Sequence, residues 1–157
     1  MSFGSYNKNL NKFPGGVYIS VKMTSTSYQK LLQYKNAYLP ELRFNEDQHC
    51  TLIYSKKPLN VSPILPQYSC KVTFKGFSLF GPNKDTLVAE VKSAKLTYRN
   101  KKLVQDYGFV SDYGEYHPHF TLGYEAKDVD LSKLPPIDFP IEFENETIEN
   151  LDLSWSK

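Results

Sequence analysis

Two stretches of the chain can be laid on one another: His49-Cys50-Thr51-Leu52-Ile53-Tyr54-Ser55-Lys56-Lys57 and His119-Phe120-Thr121-Leu122-Gly123-Tyr124-Glu125-Ala126-Lys127. Five of the nine positions agree: His, Thr, Leu, Tyr and Lys. The chain holds only three histidines in 157 residues, so two of the three occupy equivalent places in a repeat. Each stretch reads as a strand, in which residues i and i+2 point the same way. His49 and Thr51 therefore share one face, with Cys50 and Leu52 on the other. His119 and Thr121 stand likewise against Phe120 and Leu122.

Each copy closes a strand–helix–strand unit. Val17, Ile19, Val21 and Met23 alternate with Tyr18, Ser20 and Lys22, which predicts a half-buried strand. Thr24 to Thr26 offer helix-capping hydroxyls. Tyr28, Leu31, Leu32 and Tyr38 then predict a helical face that Pro40 ends, followed by a charged loop over 41–48. A proline-bearing connector, Lys56 to Pro66, leads to strands at Cys70–Phe80 and Leu87–Lys92. The turn Gly81-Pro82-Asn83 makes these two a hairpin. A second helix is expected over 94–109, with Leu96, Leu103, Val104 and Tyr107 on one face. A polar, aromatic loop from Asp112 to Pro118 precedes His119, and two short terminal strands are expected at 141–144 and 148–155. Residues 1–16 read as a loose arm closed by the turn Pro14-Gly15-Gly16. The layout is a single α+β domain over 1–157, built of two pseudo-twofold-related strand–helix–strand lobes.

Composition excludes several classes. With 40% hydrophobic and 23% charged residues, the chain has matter for a core and is not disordered. A net charge of +2 is too small for a protein that coats nucleic acid by neutralising phosphates. No segment approaches the ~20 apolar residues that span a bilayer. The first sixteen residues lack the apolar run of a signal peptide, so a cytoplasmic protein with no membrane partner is expected. Cys50 and Cys70 then remain free thiols, acting as small buried apolar groups.

Two imidazoles facing each other across a groove suit acid–base chemistry at a phosphodiester, because histidine takes or gives a proton near neutrality. One deprotonates an attacking hydroxyl and the other protonates the departing oxygen. The two threonine hydroxyls can hold non-bridging phosphate oxygens as charge shifts. No metal or cofactor is needed. The residues assign neither acid nor base role to a particular histidine.

Paired His-x-Thr-apolar motifs, each on a strand of a two-lobed α+β domain, resemble those of the two-histidine (2H) phosphoesterases. Pro118-His119-Phe120-Thr121-Leu122 fits the second motif especially well. The resemblance covers most of the chain. It implies antiparallel sheets flanking a central groove, catalytic His49 and His119, and phosphate-binding Thr51 and Thr121. The compact size and the 70-residue motif spacing look most like the phage anti-CBASS phosphodiesterases. Those degrade the cyclic oligonucleotide messengers of antiphage signalling. The resemblance further implies base-holding roles for Tyr18, Glu149 and Trp155, with Glu146 a neighbouring alternative to Glu149. The substrate expected is a small 3′-5′ linked cyclic di- or trinucleotide such as cyclic GMP-AMP, with no stable nucleic-acid partner. The same motifs also serve a phosphodiesterase for 2′,3′-cyclic RNA ends or 2′-5′ oligoadenylates. A non-catalytic cyclic-nucleotide sponge is a third reading, although binding alone does not require two opposed imidazoles.

Other residues admit two readings each. His117, two before His119, raises a three-histidine zinc set with His49 and His119, but no local ligand spacing supports one. A solvated or supporting histidine is the simpler reading. Phe80, at the hairpin turn, is a further base-stacking candidate or a structural ring. Lys22, Lys71 and Lys75 lie on polar strand faces, as phosphate guides or as solvated charges.

Overall fold

The first strand, β1 (Val17–Met23), buries the four residues of its apolar phase, Val17, Ile19, Val21 and Met23. It belongs to a computed structural model that describes residues 12–110 and 114–151. Helix α1 (Ser25–Tyr38) follows, capped by the Thr24 hydroxyl, which accepts from the Ser27 N–H. Its inward residues are Ser27, Leu31 and Tyr34, while Tyr38 is 53% exposed. The expected face is thus rotated. The cause is Ser27, whose hydroxyl donates to the Pro140 carbonyl and accepts from the Glu142 N–H. A polar residue takes a core position because a distant backbone satisfies it.

The expected charged loop contains a two-residue strand, β2 (Arg43–Phe44), before β3 (His49–Ser55). Strand β4 (Ser69–Phe80) and β5 (Thr86–Lys92) form the expected antiparallel hairpin. Helix α2 (Ala94–Tyr107), capped by Ser93, buries Leu96 and Leu103. Strand β6 spans His119–Tyr124. A 3-10 turn at Leu131–Lys133 precedes β7 (Ile141–Asn150). The two terminal strands expected from the sequence are therefore one. Asn145 continues the chain through a left-handed φ of 56°, which asparagine tolerates, and its N–H bonds the Tyr68 carbonyl. The arm is also less loose than expected at its end, since Phe13 and Leu59 exchange backbone hydrogen bonds of 2.8 and 3.1 Å.

The strands run antiparallel in the order β2-β6-β5-β4-β7-β1-β3. β4 divides its length between two partners. Ser69–Val72 pairs with β7, and Thr73–Phe80 pairs with β5. It thereby joins two lobes: β3, β1 and β7 on one side, β5, β6 and β2 on the other.

The repeat is structural as well as sequential. The first five residues of β3 and of β6 share one burial pattern: half-buried, buried, half-buried, buried, buried. In β3, Thr51 pairs with Ser20 and Ile53 with Ile19, so Leu52 is an extra residue in the ladder. In β6, Thr121 pairs with Val88 and Gly123 with Leu87, so Leu122 is extra. The repeated leucine is a buried β-bulge at the same place in both lobes. The next position differs, Ile53 against Gly123, because β2 lies along β6. A Cβ on Gly123 would stand 2.6 Å from the Arg43 carbonyl oxygen.

Candidate active site

His49 and His119 are held alike. The Nδ1 of His49 lies 2.8 Å from the Asp47 carbonyl, and that of His119 lies 3.0 Å from the His117 carbonyl. A carbonyl only accepts, so Nδ1 carries the proton and Nε2 is left for chemistry in both rings. Each imidazole has an aromatic ring against it edge to face: Tyr18 at 5.8 Å for His49, Phe80 at 5.2 Å for His119. The Asp47 carboxylate stands 3.7 Å from His49 Nδ1 and 3.8 Å from Lys22 Nζ.

The Thr51 hydroxyl is 2.8 Å from the Tyr18 hydroxyl. Burial pushes the Tyr18 phenol up to about 12, so it keeps its proton at neutral pH. With Tyr18 donating to Thr51 Oγ1, the threonine's own hydrogen is free to donate to a ligand. Thr121 is half-buried at the matching place on β6, opposite Val88 as Thr51 is opposite Ser20.

The strands β3 and β6 come together through side chains, and the arrangement is reciprocal. The loop leading into His49 holds β6: Asn45 Nδ2 donates to the Thr121 carbonyl at 3.0 Å, and the Asn45 N–H to Leu122 at 3.0 Å. The loop leading into His119 holds β3: the Tyr116 hydroxyl donates to the Thr51 carbonyl at 2.7 Å. Burial raises the Tyr116 phenol well above its ordinary value, so it remains a donor. Helix α2 adds Asn100, whose Nδ2 donates to the Leu52 carbonyl at 2.8 Å. Carbonyls beside each bulge are thus satisfied by the segment leading into the other strand's histidine, with α2 adding one bond to β3. Sequence periodicity missed Asn45 and Tyr116. The available signal was their place, each a polar group three or four residues ahead of a repeated histidine. Asn45→Ala removes two bonds to Asp47 as well as the side-chain bond to β6. It is expected to cost about 2 kcal/mol in denaturant unfolding and to lower turnover by the protein that remains folded. Unchanged turnover would limit Asn45 to a structural role.

A cavity of about 1130 Å³ opens between the lobes. Its wall includes Tyr18, Thr51, Phe80, Glu90, Tyr116 and His119. His49 and Thr121 are not on that wall, although His49 is on the same strand face as Thr51 and its ring abuts Tyr18.

The family model for the anti-CBASS protein Acb1 matches residues 15–157. The chain belongs to that family. It is 28% identical over 148 residues to the anti-CBASS protein Acb1 of Vibrio phage KVP40, covering 89% of this chain and 90% of that one. It is 26% identical over 147 residues to the anti-CBASS protein Acb1 of Enterobacteria phage T4, covering 92% and 93%. Among solved structures it resembles a phosphoesterase at 12% identity, with a TM-score of 0.57 over 86% of this chain and 87% of that one. It also resembles E. coli LigT complexed with 3′-AMP, at 13% identity and a TM-score of 0.54 over 87% of each chain. The fold is that of the 2H phosphoesterases.

In this Acb1-family chain Glu149 is exposed and lies across the sheet from Tyr18, on the same side of β7. Glu146 points the other way. It pairs across from buried Val21, is itself buried, and accepts from Arg99 Nε and Nη2 at 2.6 and 2.7 Å. The geometry therefore leaves Glu149, not Glu146, on the side of the candidate site. Trp155 lies outside the described residues. The His117 side chain is exposed on the cavity wall, while its carbonyl holds His119. Among the described residues no three His, Cys, Asp or Glu side chains converge as a metal-binding group. Lys22, Lys71 and Lys75 are exposed, and of these Lys22 is the cross-strand neighbour of His49. Cys50 and Cys70 are buried free thiols. No helix among the described residues is long and apolar enough to cross a membrane.

Proposed function

We propose that this Acb1-family protein is a phosphodiesterase that degrades the cyclic nucleotides of CBASS antiphage signalling, cleaving 3′-5′ linkages of cyclic di- and trinucleotides such as cyclic GMP-AMP. The observation that carries the reading is the matched presentation of two imidazole Nε2 atoms. Each has its Nδ1 fixed by a carbonyl two residues earlier and a threonine two residues later on the same strand face. The family match and a fold shared with LigT, whose solved complexes include 3′-AMP and NADP+, support a nucleotide substrate.

In the proposed reaction the ribose 2′-hydroxyl attacks the adjacent phosphorus. One Nε2 accepts the hydroxyl proton as the O2′–P bond forms. The P–O5′ bond breaks, and the other histidine gives its Nε2 proton to O5′. The products are a 2′,3′-cyclic phosphate and a free 5′-hydroxyl, and water can then open the cyclic phosphate by the reverse proton traffic. Thr51, backed by Tyr18, and Thr121 donate to the non-bridging oxygens.

A panel of cyclic dinucleotides, cyclic trinucleotides, 2′-5′ oligoadenylates and 2′,3′-cyclic RNA ends, resolved by chromatography in excess chelator, tests this. Cyclic ribonucleotides should be opened with chelator present, and their 2′-deoxy analogues should resist. Cleavage of a deoxy analogue at the normal rate would sink the mechanism. Exclusive action on RNA ends or 2′-5′ oligomers would replace the substrate.

A further inference from the structure

The proposed reaction places a nucleoside on each side of the scissile phosphate. Tyr18 and Glu149 offer a ring and a carboxylate in the first lobe. The second lobe offers the same two chemistries at different positions. Phe80 ends β4, is 40% exposed, and lies on the cavity wall with its ring against His119. Glu90 is the cross-strand neighbour of His119 on β5 and lies on the same wall. The place that Glu90 holds beside His119 is held by Lys22 beside His49.

A carboxylate on the wall of a cavity for an anionic diester opposes phosphate binding. What it can do there is accept hydrogen bonds from neutral donors. The Ser78 hydroxyl already donates to Glu90 Oε2 and fixes that side chain, which leaves Oε1 as an oriented acceptor. An exposed aromatic ring beside it is a platform on which a base can stack. The cavity, about 1130 Å³, exceeds the usual range for a site holding one small ligand.

We propose that Phe80 and Glu90 form a second nucleoside subsite: Phe80 stacks on the base, and Glu90 accepts from N–H donors on its edge. The subsite rests on the phosphodiesterase reading above and extends it to base selection. Bases that present N–H donors are favoured there, and those that present only acceptors to Glu90 are rejected.

The test compares wild type with Phe80→Ala, Phe80→Trp and Glu90→Gln, each with its melting temperature checked against wild type. Cleavage of cyclic GMP-AMP, cyclic di-AMP and cyclic UMP-AMP is measured alongside calorimetric titration with GMP and AMP. Phe80→Ala is expected to raise KM about tenfold on every ring, and Phe80→Trp to restore it. Glu90→Gln is expected to change the ratio of kcat/KM values between rings, and the GMP-to-AMP affinity ratio, by about tenfold. An equal fall in kcat on every ring, with KM and both ratios unchanged, would show that these residues only support His119 and would overturn the subsite. Unchanged kinetics and titrations would overturn it too. Failure of wild type to open any ring defeats the earlier reading instead. The mononucleotide titrations then decide the subsite by themselves.

Discussion

Replacing His49 or His119 with alanine is expected to lower turnover of a cyclic ribodinucleotide by about 10²–10⁴-fold. Each ring is half-buried on a strand and is held by one backbone carbonyl and one aromatic edge. Neither ring is part of the hydrophobic core. Alanine fits both strands, so the loss should come from chemistry, with stability changed by only about 0.5 kcal/mol. The proton taken from the 2′-hydroxyl and the proton given to O5′ move in one reaction. Losing either histidine should therefore cost nearly as much as losing both, and the double variant should not multiply the single effects. Initial rates of the three variants, with melting curves as controls, check this. Wild-type turnover by either single variant would remove the central claim.

The second large effect concerns stability. Glu146 is fully buried at its side chain and Arg99 is half-buried, and the two meet through paired nitrogen–oxygen contacts. Tyr68 donates to the same carboxylate at 2.5 Å. The bonds to Glu146 raise the Arg99 pKa further, and it stays charged. The cluster ties α2 to β7 on the side of the sheet away from Tyr18 and Glu149. Glu146→Ala leaves a half-buried guanidinium without its partner and the Tyr68 hydroxyl without its acceptor, and is expected to cost about 2–3 kcal/mol. For a chain of this length that is roughly 4–12 °C in Tm. Replacing both residues by apolar side chains, Arg99→Met with Glu146→Leu, should recover most of the loss, because the cost is that of an unpaired buried charge. Thermal and denaturant unfolding check the pair. A loss below about 1 kcal/mol in Glu146→Ala would show that the charge reaches water.

Local pattern made much of the architecture legible. The alternation in β1, the hairpin about Gly81-Pro82-Asn83, the second helix and the two repeated strands are all properties of neighbouring residues. The misreadings share one cause. Ser27 faces inward because a backbone more than a hundred residues away binds it. β7 is continuous because it pairs with β4 and β1 on either flank through a left-handed Asn145. A periodicity argument sees neither partner.

The candidate site divides in the same way. The residues alone disclose two His-x-Thr strands, an imidazole and a hydroxyl sharing one face of each, and two related lobes. Those properties follow from a two-residue period and a repeat, which need no knowledge of neighbours. That Leu52 and Leu122 are bulges depends on packing. So does the holding of each repeated strand by the segment leading into the other's histidine, through Asn45 and Tyr116, and so do the place of Glu149, not Glu146, beside Tyr18 and the meeting of Phe80 and Glu90 with His119 on the cavity wall. Each of these depends on strand register and on contacts distant in sequence, which are set when the two lobes pack and not by the residues beside them.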